Sequence, residues 1–169
     1  GEVYIVTESV FSMDGDSPDL KALAEFSTSN DYHLVVDEAH AVGVFGDNGK
    51  GLVQELGLQD QMFARIMTFG KAMGCHGAAV LGSEKLKSFL INFARSFIYT
   101  TGLSPNAVAT ILVAYEYLQT TEGKKARQKL KENIERFNNL GSALNLKLNF
   151  ITSNSAIQSC NIKGNHEVK

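Results

Sequence analysis

The chain has 169 residues, enough for one domain with a packed core or for parts of two. Its composition, 44% hydrophobic and 20% charged, is ordinary for a soluble globular protein, and a net charge of −2 gives no electrostatic drive toward nucleic acid or an anionic membrane surface. Cys75 and Cys160 stand far apart, in no metal-ligand or disulfide-scaffold spacing, so no metal is expected and a reducing cytoplasm is the expected compartment. No apolar run approaches the ~18 residues of a membrane span.

Val3–Thr7 (VYIVT) is β-branched and aromatic and predicts a buried strand. The cluster M-D-G-D-S-P at 13–18 predicts a turn, with Ser17 capping a helix whose first turn holds Pro18. Leu20, Leu23, Ala24 and Phe26 then fall on one face of a helix over 19–29. His33–Val36 is the second predicted strand, and the glycines at 43, 46, 49 and 51 predict a flexible loop. Arg65–Thr68 and Ala78–Leu81 are the next strands, flanking a glycine-rich stretch at 70–77.

Ser83 is the expected cap of an amphipathic helix to Ala94, with Leu86, Phe89, Leu90 and Phe93 on one face. Phe97–Thr100 (FIYT) predicts a fifth strand. Pro105 opens an apolar helix to about Leu118, and a second long helix runs over Glu122–Leu144 with Leu130, Ile134, Phe137 and Leu140 as its buried stripe. Ala156–Ile162 predicts a last strand. Strands alternating with helices predict an α/β fold, a mainly parallel sheet covered by helices on both faces. The two long helices mark a change of domain near 105–125, giving one unit over 1–115 and, over 116–169, a linker helix and the start of a small α+β domain. A strand almost at residue 1, and a stop a few residues past another, suggest cuts through a larger fold.

Two short segments carry the chemistry: D-E-A-H at 37–40 and T-F-G-K at 68–71, each directly after an apolar strand. Ligands of open α/β sheets bind outside the carboxyl ends of strands. A carboxylate there, Asp37, suits a protonated pyridine nitrogen, although a turn cap explains it equally well in isolation. His40 lies close enough to donate to a phenolate or carbonyl oxygen, whereas a lone histidine is more often a surface or core residue. Lys71, among Gly70, Ala72, Gly74 and Gly77, has room beside it for a cofactor and for the desolvation that lowers an amine's pKa. Thr68 offers a hydroxyl to a phosphate. Together these are the groups that hold pyridoxal phosphate (PLP) and form a Schiff base with it. Cys75, beside His76, reads as a packed thiol. D-E-A-H is also a helicase magnesium box, but that reading needs a phosphate loop upstream; none is there, and G-D-N-G-K-G at 46–51 lacks its spacing and its Ser/Thr.

With V-T-E-S-V-F-S-M-D-G-D at 6–16, V-D-E-A-H-A-V-G-V-F-G at 36–46, T-F-G-K-A-M-G at 68–74 and F-I-Y-T-T at 97–101 in this order, the chain resembles the α-oxoamine synthases over residues 3–120. The resemblance implies the type I PLP-dependent transferase fold, with 1–115 as the C-terminal half of the large cofactor domain. It implies PLP as cofactor and decarboxylative condensation of an amino acid with an acyl-CoA or acyl-carrier-protein thioester. Within the family, G-C-H-G-A-A-V at 74–80 and F-A-R-S-F-I-Y-T-T at 93–101 most resemble the members that join L-alanine to a pimeloyl donor, with glycine and acetyl-CoA as the alternative pair. By position, Lys71 resembles the Schiff-base lysine, Asp37 the pyridine-nitrogen partner, His40 and Ser12 donors around the phenolate oxygen, and Thr68 a phosphate contact. Thr100, with Thr101 beside it, resembles a hydroxyl that reaches the neighbouring subunit's phosphate, which implies a homodimer with shared sites. The family's glycine-rich N-terminal third, its ring-stacking aromatic residue and its carboxylate-gripping arginine have no counterpart here, so the 169 residues alone are expected to be inactive.

Overall fold

A computed structural model describes residues 1–144, 149–162 and 164. Four strands form one sheet in the order β1 (Tyr4–Glu8), β2 (His33–Asp37), β3 (Ala64–Thr68) and β4 (Ala78–Gly82). The first three run parallel and β4 returns antiparallel to β3, because only the nine-residue loop 69–77 joins them. The α/β expectation therefore holds, with one edge strand reversed.

The first crossover is α1 (Leu20–Ser29), and its cap corrects the sequence reading. Asp19 Oδ1, and not Ser17, accepts from the Ala22 amide at 3.0 Å, so Pro18 precedes the helix. A carboxylate at the cap satisfies a free amide and faces the positive end of the helix dipole. The second crossover passes through the loop after β2, a 3₁₀ turn at Asp47–Gly49, the short α2 (Leu52–Glu55) and a second 3₁₀ turn at Gln59–Gln61, where the sequence predicted a flexible loop at the glycines.

Helices flank the sheet unequally. Leu20 and Ala24 of α1, Val53 of α2 and Leu58 pack on Leu34 and Val36 of β2, all buried. Register puts Thr7, Val36 and Arg65 on this face, and Glu8, Asp37 and Ile66 on the other. There Tyr4, Val6 and Val80 are 53%, 69% and 52% exposed. The expectation of cover on both faces is met on one face only, among the described residues.

Ser83 caps α3 (Glu84–Phe93) as predicted, accepting from the Leu86 amide. Its stripe is amphipathic, yet Phe89 and Phe93 are exposed and stack on each other. The expected strand at 97–100 is instead the short helix α4 (Arg95–Ile98): the amides of Ile98 and Tyr99 bond the carbonyls of Ala94 and Arg95. A short run of three apolar residues and a threonine satisfies a helical turn as readily as a strand. α5 (Pro105–Gln119) and α6 (Thr121–Ala143) pack together, capped by Ser104 and Thr120. Of the predicted α6 stripe, Ile134 is buried while Phe137 and Leu140 are largely exposed.

The last predicted strand shrinks to β6 (Cys160–Asn161), paired antiparallel with β5 (Asn149–Phe150). Before β6, the hydroxyls of Ser153 and Ser155 accept from the amides of Ser155 and Ile157, and such local bonds compete with a sheet ladder. No helix among the described residues is long and apolar enough to cross a membrane.

Candidate active site

Parallel pairing of β1, β2 and β3 brings their carboxyl ends to one edge. Glu8 and Asp37 are register partners there, and Thr68 ends β3 two residues past Ile66, the register partner of Asp37. Alternation along a strand places Asp37, Ile66 and Thr68 on the same face. The chain then turns sharply after each strand. Asp37 Oδ1 accepts from the Ala39 amide at 2.7 Å, an Asx turn that starts the path to His40. The Ala41 and Val42 amides bond the Glu38 carbonyl.

After β3, Cys75 N donates to Phe69 O and Gly74 N to Lys71 O, curling 69–75 into a tight loop with Lys71 exposed on it. The two loops touch. Gly43, at φ +79°, lies so near Ala72 that an added Cβ would stand 2.9 Å from the Ala72 methyl. Glycine is thus required there both for its backbone angle and for the close approach. Val42, Phe69 and Met73 pack beneath with Leu118 of α5.

The charges of Lys71, Glu8 and Asp37 all act on His40. Burial and then the Lys71 ammonium push His40 below its ordinary 6.5, while Glu8 and Asp37 pull the other way. His40 is therefore neutral at neutral pH, with one N–H to donate. Thr68 Oγ1 is buried without a hydrogen-bond partner among the described residues, and Asp37 Oδ2 takes no protein donor there. The ion pairs among the described residues leave out Asp37 and Lys71.

Of the residues singled out in the sequence, Asp37, His40, Thr68 and Lys71 gather at this edge. Ser12 and Thr100 are exposed, each on its own segment. Cys75 donates to the Met73 carbonyl at 3.1 Å, the packed thiol expected. Two residues were missed. Glu8 ends β1 beside Asp37, and the strand-end rule that singled out Asp37 applies to it equally. Glu38 is fully buried on an ion pair with Arg65; a charged residue inside an apolar strand, Arg65 between Ala64 and Ile66, was the available signal.

An α/β sheet with a lysine, an aspartate, a histidine and an unpartnered threonine hydroxyl at its carboxyl edge defines a class, and sequence comparison agrees: the chain belongs to the aminotransferase class I and II family, which matches residues 1–167. Among curated relatives it is similar to 8-amino-7-oxononanoate synthase of Emericella nidulans, 48% identical over 80% of this chain and 34% of the relative. The corresponding enzyme of Erwinia tasmaniensis is 41% identical over 94% of this chain and 40% of the relative. Among solved structures, 8-amino-7-oxononanoate synthase from Francisella tularensis superposes with a TM-score of 0.84 at 33% identity, covering 98% of this chain and 48% of that one. Serine palmitoyltransferase from S. paucimobilis, bound to PLP and myriocin, superposes with a TM-score of 0.88 at 27% identity, covering 98% and 42%. The fold is that of the PLP-dependent transferases. The chain spans less than half the length of these relatives.

Proposed function

We propose that this chain supplies the lysine-bearing part of a PLP-dependent acyltransferase that condenses L-alanine with a pimeloyl thioester and releases carbon dioxide. The observation that supports it most is the convergence of Asp37, His40, Lys71 and the unpartnered Thr68 hydroxyl at one sheet edge. The residues suit PLP. Thr68 has a buried hydroxyl lacking an acceptor, Asp37 an oxygen lacking a donor, and Lys71 an amine outside any ion pair among the described residues.

When bound, PLP supplies an aldehyde for an amine and a ring that accepts electron density from the amino-acid α-carbon. Lys71 Nζ would hold the group and would move the α-proton of the amino acid. The Asp37 carboxylate holds the proton on the ring nitrogen by charge pairing. Neutral His40 donates an N–H toward the oxygen that gains charge when the thioester is attacked. Thr68 Oγ1 donates to the phosphate. Ser12 and Thr100 are assigned to the phenolate surroundings and to the partner subunit's phosphate in a homodimer, on the strength of S-M-D-G-D and F-I-Y-T-T. We assign residues 1–115 to the large domain and 116–169 to the linker helix and small domain. A cytoplasmic setting suits the two free thiols.

Fold likeness alone does not select the acyl donor, since serine palmitoyltransferase superposes with a TM-score of 0.88 and 8-amino-7-oxononanoate synthase with 0.84. Sequence identity of 37% to 48% to the 8-amino-7-oxononanoate synthases favours alanine and pimeloyl over glycine and acetyl. The test is thiol release and product mass for the full natural gene product with L-alanine and pimeloyl-CoA, glycine and acetyl-CoA, and L-serine and palmitoyl-CoA. Fastest turnover with the first pair is expected. Turnover with none, in protein carrying PLP, would refute the reading.

A further inference from the structure

Directly behind the candidate site lies a second charged pair that the chemistry above leaves unused. Glu38, between Asp37 and His40, turns its side chain into the core and is fully buried. Its Oε2 accepts from Arg65 Nε at 2.8 Å and also from Arg65 Nη2. Its Oε1 accepts from the Val53 amide at 2.8 Å, and Arg65 Nη2 donates in addition to the Lys50 carbonyl at 3.0 Å. Gly51, at φ +105°, is pressed so close that an added Cβ would stand 2.6 Å from the carboxylate. The backbone of Glu38 is equally committed: its amide donates to the Ile66 carbonyl, and its carbonyl accepts from the Ala41 and Val42 amides.

Glu38 follows β2, which ends in Asp37 and leads to His40. Arg65 lies in β3, three residues before Thr68 and six before Lys71. A buried ion pair is commonly no more stabilising than a hydrophobic pair of the same volume. Stability alone therefore does not account for two charges here; their directional bonds fix relative positions, which an apolar pair does not. We propose that Glu38 and Arg65 act as positioning residues, a buried clamp that locks the Asp37–His40 turn to the strand carrying Thr68 and Lys71 and so sets the spacing of the site. This rests on the reaction proposed above.

The experiment compares Glu38→Gln, Arg65→Lys and the double variant Glu38→Gln/Arg65→Met in the full natural gene product. Glu38→Gln leaves a buried guanidinium unpaired and lowers the melting temperature. The double variant removes both charges and restores most of the thermal stability. A purely structural pair then predicts restored function as well. A clamp predicts that the double variant still shows kcat reduced about tenfold to a hundredfold with KM for the amino acid little changed. It also predicts an altered absorbance-against-pH profile of bound PLP and a displaced His40 NMR titration in the cofactor-free protein. Arg65→Lys, which keeps the charge but loses the forked donor, falls between the double variant and wild type. Wild-type kcat and wild-type His40 titration in a folded double variant would overturn the clamp. The NMR comparison needs no turnover, so it judges the clamp even where a wild-type protein inactive with every substrate pair has refuted the proposed reaction.

Discussion

The two faces of the sheet differ in what their residues do. On one, Leu34, Val36, Arg65 and Met67 are buried under helices or loops, with Arg65 paired to Glu38. On the other, Tyr4 and Val6 are exposed and Glu8, Asp37 and Thr68 are only partly covered. The first face fixes strand positions through packing and one buried charge pair. The second presents polar groups with free hydrogen-bonding capacity. Residues one step apart, Asp37 and Glu38, thus have opposite tasks because alternation turns them to opposite sides.

Substitutions on the two faces should separate function from stability. Asp37→Asn is expected to lower turnover of the full natural gene product about a hundredfold or more while the melting temperature barely moves, since the side chain gives up one charge and keeps its turn acceptor. Steady-state kinetics beside thermal denaturation checks this, and near wild-type turnover contradicts it. On the covered face, Arg65→Met should cost about 3–5 kcal/mol by stranding the Glu38 carboxylate, and Leu34→Ala about 2–5 kcal/mol by opening a cavity, both read from denaturant unfolding.

The acid–base behaviour of His40 sharpens the contrast. Its folded pKa lies below 6.5, so between the two values the unfolded chain binds the proton more readily than the folded one. Its stability contribution is full above 6.5 and is lost as pH falls through the folded value. Because Lys71 is the second cause of the depression, Lys71→Met should raise the His40 pKa, measured by NMR titration. An unchanged titration would show that the two side chains are not neighbours. The smallest effect belongs to the exposed face away from the strand ends: Val6→Thr should change stability by no more than about 0.5 kcal/mol.

Much of the first hundred residues was legible because local patterns agreed with tertiary context. The strands at 33–37 and 64–68 are largely apolar runs ended by polar residues, and Ser83 caps the helix it precedes. Asp37, His40, Thr68 and Lys71 were legible as strand-end groups. Phe97–Thr100 was not, because a run of four residues is too short to separate a helical turn from a strand. The reversed direction of β4 depends on a nine-residue connection that propensity does not report. Glu38 escaped notice because Asp37 and His40 drew the reading of D-E-A-H toward the site, and only the register turns Glu38 inward to Arg65.

The most direct test is the chemical identity of the attachment residue. The full natural gene product is loaded with PLP, reduced with borohydride, digested and mapped by mass spectrometry. A pyridoxyl group on Lys71 is the expected result. A pyridoxyl group on another lysine, with Lys71 unmodified, would contradict the site at this sheet edge.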